Sequence, residues 1–370
     1  MLICMFSRFC LIGLLTLAFY AYPFNQEMYD IIYSFPEQLQ EGFEIGTKQA
    51  GNHKPYFRHK NIVACGMGGS AITADILGVI GKHDFNVPYL VVKNYTLPSW
   101  VDANTLVILF SYSGNTEETL SCFELAYQSG ARILGVTSGG PLGSLLQERG
   151  LDSITIPGGL PPRAALGYLL GSVLGSLSST GLIADQSVAI NRSVEQLSMD
   201  RIAYGKDDDT NSAYVLAQEM HTSFPIIYGE SETTSAIAYR WCCQLAENSK
   251  MIAHPHVLPE LNHNEIVGWQ KAGKDETKNG VIWLLDQSML ERNMKRYELT
   301  KDIIKEQTVY QYTAMGQGET VLERMLSLIY LGDWVSFWCA VLNDVDPMPI
   351  DNIDTLKEEM GFSPSPKATA

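Results

Sequence analysis

The sequence predicts an α/β protein built from two three-layer α/β/α sandwich units with mainly parallel sheets. Three observations predict it. Short apolar runs alternate with helix-spaced segments from residue 61 to 178, the pattern of parallel strands joined by helical crossovers. One of those runs, 106–110, is apolar at every position and reads as a strand buried on both faces. After a polar stretch at 191–211 the strand–helix pattern restarts on a smaller scale, a repeat of architecture rather than of sequence.

Taken in order, residues 28–48 place Ile31, Ile32, Phe35, Leu39 and Phe43 at helical spacing and predict one helix. Residues 61–65 predict a short buried strand, after which Gly66-Met-Gly-Gly-Ser70 opens a helix. A second strand follows at 87–92. The strand at 106–110 ends in Ser111-Tyr-Ser113-Gly-Asn-Thr116, and 117–128 reads as a helix. Strands at 131–137 and 153–156 flank a short helix at 141–148. Gly158-Gly-Leu-Pro-Pro-Arg163 is a rigid turn before a mostly apolar helix at 164–178.

The stretch 191–211, with Lys206-Asp-Asp-Asp209, is polar enough to predict a linker. It separates a unit at 28–190 from a unit at 212–345, with a tail at 346–370. In the second unit, helices are expected at 213–220, 236–249 and 289–306, and strands at 224–228, 280–285 and 308–313. The long apolar helix expected at 321–342 is also a candidate for a subunit interface.

The 370 residues suit about two domains with ample core. A formal net charge of −15 argues against a nucleic-acid surface or an anionic membrane as partner. It leaves a phosphorylated small molecule open, because one loop can oppose the global field. The seven cysteines form no CxxC pair and no metal-like spacing, which points to reduced thiols in a reducing, cytoplasmic compartment. The apolar leader at 1–27 stands against that. It reads as a signal or anchor with poor cleavage chemistry, or as a start-site artefact ahead of Met28.

Three stretches invite chemistry. Three hydroxyls and a glycine between a buried strand and a helix N-terminus, at 111–116, suit a phosphate: loop N–H groups and the helix dipole face the anion. No Walker lysine follows, so a nucleoside triphosphate is not expected. The plainer reading is an N-cap without ligand. The Gly66-x-Gly68-x-x-Ala71 turn formally fits a dinucleotide fingerprint, but no acidic residue ends the next strand. A backbone loop at Gly69 and Ser70 approaching a sugar phosphate, or glycines serving structure alone, are the remaining readings. His254-Pro-His256-x-x-x-Glu260 resembles a cupin metal box. It is read here as a proline-broken loop in an α/β chain, where a metal site is not expected.

Together these motifs resemble the bifunctional phosphoglucose/phosphomannose isomerases, proteins of two sugar-isomerase (SIS) domains. The resemblance spans about 28–357 and is carried by Gly66-Met-Gly-Gly-Ser70, Ser111 to Thr116, Pro161-Pro-Arg163, Glu247-Asn248, Glu260-Leu-Asn-His263-Asn-Glu265 and Leu356-Lys357. It implies two SIS-type domains and a metal-free, cofactor-free aldose–ketose isomerase acting on glucose 6-phosphate, mannose 6-phosphate and fructose 6-phosphate. It implies Glu247 as general base and His263 as the ring-opening group. Arg163 would stabilise the oxyanion, and Lys357 would act as a further catalytic group. Gly69, Ser70, Ser111, Ser113 and Thr116 would hold the phosphate, while Asn248 and Glu265 would orient their neighbours. It also implies a homodimer in which His263 serves the other chain.

The sequence departs from the family pattern at Met348-Pro-Ile350, where a threonine that helps accept both C2 epimers is expected. Rival readings are a non-catalytic SIS sensor of a sugar phosphate, or an isomerase of another sugar phosphate.

Overall fold

The computed structural model describes residues 25–361 apart from 52, 54–58 and 273–277. The leader up to residue 24 and the tail beyond 361 therefore lie outside the described residues. The chain enters through α1 (Gln26–Tyr33) and α2 (Phe35–Ala50), two helices where the spacing predicts one. Pro36 has no N–H for the Ile32 carbonyl, so the first helix closes at Tyr33 and the second opens with Pro36 in its first turn. There the missing donor costs nothing.

Next come β1 (Asn61–Cys65), α3 (Gly69–Ile80), β2 (Tyr89–Val92), β3 (Thr105–Phe110), α4 (Glu117–Gln128), β4 (Arg132–Thr137), α5 (Gly140–Glu148) and β5 (Asp152–Thr155). Their strands form a parallel five-stranded sheet in the order β2-β1-β3-β4-β5. All six residues of β3 are buried, as its unbroken apolar run requires. Alternate residues feed two cores. Ile62, Ala64, Leu106 and Ile108 join the large core on one face, whereas Val63, Cys65, Val107 and Leu109 pack with Phe123 and Leu142 of α4 and α5 on the other. This is the three-layer sandwich expected.

A one-turn 3-10 helix, Pro162–Ala164, leads to α6 (Leu166–Ser179). This helix lies against α2 almost backbone to backbone. A Cβ on Gly46 would stand 1.8 Å from the Ser172 carbonyl oxygen, so glycine is what permits the approach.

Where a polar linker is expected, at 191–211, the chain is helical for most of its length: residues 187–204 form α7 (Ser187–Tyr204), and 205–211 is the connection. Ala189, Ile190, Ser193 and Leu197 make a narrow buried stripe, and the polar remainder faces outward, which is why composition alone reads as a loop.

The second sheet is built from α8 (Ser212–Met220), β6 (Phe224–Glu230), α9 (Ser235–Ser249), β7 (His254–Leu258), α10 (Trp269–Ala272), β8 (Asn279–Leu285), α11 (Glu291–Ile304) and β9 (Tyr310–Met315). It is parallel, in the order β7-β6-β8-β9. In both sheets the second strand of the unit takes the edge, so the topology repeats. The segment read as a proline-broken loop, His254-Pro-His256, is in fact edge strand β7. Its Pro255 sits opposite Ile227, a place an edge strand tolerates because the outward N–H has no partner to lose.

Helix α12 (Val321–Leu342) closes the core, and α13 (Asp351–Glu359) ends the described chain. Every residue from Leu322 to Val341 is buried by this same chain, which corrects the expectation that α12 offers a subunit interface. Among the described residues it is also the one helix long and apolar enough to cross a membrane. Its burial along nearly its whole length makes it a core helix instead.

Candidate active site

The turn after β3 is shaped by its own groups before any ligand arrives. Gly114 adopts a left-handed φ of 67°, and a Cβ there would meet the Gly139 carbonyl oxygen at 1.8 Å. The loop can therefore fold tightly onto the β4–α5 turn only with glycine. Buried Ser111 donates its Oγ–H to Thr116 Oγ1 at 2.9 Å. Thr116 is the residue before α4, yet its side chain makes no capping hydrogen bond. The plain N-cap reading thus fails for the residue that would carry it, and among the described residues the first N–H groups of α4 have no side-chain acceptor. Ser113 is exposed and its Oγ accepts the Asn115 N–H at 3.3 Å, which leaves its own proton to give.

The two glycine-bearing turns meet. Ser70 Oγ accepts the Tyr112 N–H at 3.3 Å, so the turn after β1 stands beside the turn after β3. Tyr112 in turn accepts the Leu160 N–H on its hydroxyl at 3.1 Å. Gly69 approaches the Pro162 carbonyl so closely that a Cβ would lie 2.9 Å from it. Through these contacts the phosphate-type loop, the Gly66–Ser70 turn and the Pro161-Pro-Arg163 turn form one continuous rim.

Arg163 projects from that rim into the second unit. Its guanidinium is 3% exposed and donates to Asn248 Oδ1 at 2.7 Å, to Glu247 Oε2 at 3.4 Å, and to the carbonyls of Pro347 at 2.6 Å and Met348 at 3.1 Å. Burial draws its pKa down and the Glu247 charge pulls it back up; an arginine so placed stays charged. A buried cation with a carboxylate and an amide oxygen is a satisfied one. Glu247, on the last turn of α9, keeps a side-chain exposure of 26%. Only its Oε2 is engaged among the described residues, and its other oxygen carries no hydrogen bond there.

Behind this pair stands a network that sequence reading misses. Asn248 donates to Ser336 Oγ at 3.0 Å, and Ser336 donates to the Asp333 carbonyl at 2.8 Å. Arg240 Nη2 reaches both Asp333 oxygens at 2.9 and 2.8 Å and the Arg163 carbonyl at 3.2 Å. The signal available is an aspartate and two serines inside the otherwise largely apolar run 325–342. Buried polar groups there need partners, and these hold Asn248 and Arg163 in register.

The other expected residues are not brought to this pair within one chain. His263 ends the 3-10 turn Glu260–His263 and is exposed, with no hydrogen bond or ion pair among the described residues. Lys357 lies on α13, whose described residues are all exposed, and it too has no bond to Glu247 or Arg163. Glu265 does orient neighbours: it accepts from the Tyr228 hydroxyl and pairs with His254 Nε2 at 2.7 Å. His256 Nε2 lies 3.9 Å from the same carboxylate. These histidines therefore brace the segment carrying His263. Among the described residues no group of three or more His, Cys, Asp and Glu side chains is placed to hold a metal ion.

Over 335 residues the chain is 42% identical to the bifunctional phosphoglucose/phosphomannose isomerase of Caldicellulosiruptor bescii, an alignment covering 90% of this chain and 98% of that one. It is 37% identical over 339 residues to the protein of the same description from Aquifex aeolicus, again covering 90% and 98%. Residues 209–360 match the bacterial phospho-glucose isomerase C-terminal SIS domain. Among solved structures, the C-terminal domain of glucosamine-fructose-6-phosphate aminotransferase from Francisella tularensis superposes with a TM-score of 0.66. It covers 86% of this chain and 96% of that one at 15% identity, a likeness of fold.

Proposed function

The chain belongs to the family of bifunctional phosphoglucose/phosphomannose isomerases, and on that premise we propose that it interconverts glucose 6-phosphate and mannose 6-phosphate with fructose 6-phosphate through a cis-enediolate, without a metal. The observation that carries this reading is the ion pair of Arg163 with Glu247, on a rim continuous with the hydroxyl-lined turn 111–116.

The chemistry divides between these places. The phosphate rests on the uncapped N-terminus of α4, with Ser70, Ser113 and Thr116 and the Gly69 turn around it, and Ser111 fixes Thr116. Anchoring the remote phosphate orients the reacting carbons. Glu247 takes the proton from C2 of the aldose and returns it at C1, and the reverse for the ketose. Arg163 holds the Glu247 carboxylate in place and stabilises the oxyanion that develops on the enediolate.

Ring opening needs a proton donor and acceptor near neutrality, which is the role of His263. An imidazole exposed on its own chain fits service to a second copy, so the working unit is a homodimer whose sites each take His263 from the partner. Lys357, on the tail helix, is the further catalytic group that the family resemblance implies. The enzyme works in the cytoplasm.

A coupled assay tests this. Fructose 6-phosphate is supplied in the presence of EDTA, and glucose 6-phosphate and mannose 6-phosphate are followed separately. Formation of both is the expected result. Glucose 6-phosphate alone would make Met348 and Ile350 a barrier to the mannose epimer. Binding of fructose 6-phosphate without turnover would make the protein a sensor.

A further inference from the structure

Residues 346–350, Asp-Pro-Met-Pro-Ile, cross the site between α12 and α13. Two prolines in five residues remove every other N–H, so the strap cannot join a sheet and its carbonyls need outside donors. Two cations supply them. Arg163 binds the carbonyls of Pro347 and Met348. Lys250 Nζ binds the carbonyl of Pro349 at 2.7 Å and that of Glu247 at 2.6 Å. Three successive strap carbonyls are thus tied to residues that also hold Glu247, one at its carboxylate and one at its backbone.

Lys250 does this from an unfavourable backbone. It caps the C-terminus of α9 in the left-handed region, at φ 59° and ψ 31°, where glycine is the residue that fits without strain. A lysine in such a place points to a use for its side chain.

We infer that Lys250 is a positioning residue: with Arg163 it pins the strap 346–350 beside Glu247, fixing the mouth of the site and the start of the helix that carries Lys357. The inference rests on the reading of Glu247 as the base.

The test uses the full chain with Lys250→Gly, Lys250→Met and Lys250→Arg. Glycine satisfies the left-handed cap, so Lys250→Gly separates capping from clamping, and its melting temperature stays at or above that of the parent. For Lys250→Gly and Lys250→Met, kcat with fructose 6-phosphate falls about ten-fold while KM moves less than about two-fold, because the phosphate loop is untouched. Lys250→Arg, which keeps a donor in reach of both carbonyls, recovers most of the rate. Independently of turnover, amide hydrogen exchange in a peptide spanning 345–356 is faster in Lys250→Gly than in the parent. Parental exchange in that peptide, or a fully active Lys250→Gly, overturns the inference. An inactive parent protein with faster strap exchange in the variant upholds the clamp and overturns the isomerase reading.

Discussion

Residue by residue, the site separates groups that build the loop from groups that remain to meet a ligand. Ser111 is buried and spends its proton on Thr116, whereas Ser113 is exposed and keeps its proton. Ser113→Ala is expected to raise KM for fructose 6-phosphate about ten-fold, the loss of one hydrogen bond to a charged oxygen, with kcat little changed. Steady-state kinetics decide it, and an unchanged KM would move the phosphate elsewhere. The types and order of these residues were legible in the sequence, because a strand, a hydroxyl-rich turn and a helix are local. Their division of labour was not, since which hydroxyl is buried depends on how β1, β3 and the 160–163 turn come together. Nor was the support for Arg163, since the pairing of Asp333 with Arg240 joins residues 93 positions apart in the chain.

At the scale of elements, the strands of both sheets were legible wherever they are apolar. The reading failed where an element is polar on one side or at an edge. Helix α7 buries a narrow stripe and looks like a linker; β7 lies at the edge with Pro255 inside it and looks like a loop. The repeat has also diverged in use. In the second unit, the turn after β6 offers its N–H groups not to a ligand but to the buried Glu230 carboxylate, which accepts from Glu232 N at 2.9 Å and Thr233 N at 3.1 Å. Asn293 closes the other oxygen at 2.9 Å. Among the described residues the Gly66–Ser70 turn of the first unit has no such internal anion. The approach of α2 to α6 gives a stability prediction. Gly46→Val is expected to cost about 3 kcal/mol by forcing the helices apart, read as a lower urea midpoint. An unchanged midpoint would contradict the close packing.

At the scale of the molecule, the Arg163 pair joins the two units, whereas His263 is left facing outward. If each site is shared, Glu247→Gln and His263→Ala are both inactive alone, yet refolding an equal mixture restores about a quarter of parental activity, since half the dimers carry one intact site. No recovery in a mixture shown to form mixed dimers would return His263 to its own chain. The claim beneath all of this is that Glu247 moves a proton between neighbouring carbons. Its most direct test is turnover of fructose 6-phosphate in heavy water, with deuterium at C2 of the aldose product read by NMR. The parent enzyme is expected to introduce deuterium there, and Glu247→Gln to lose both exchange and turnover by about 1,000-fold while still binding the sugar phosphate. Product formed at full rate with no deuterium, or exchange undiminished in Glu247→Gln, would contradict it.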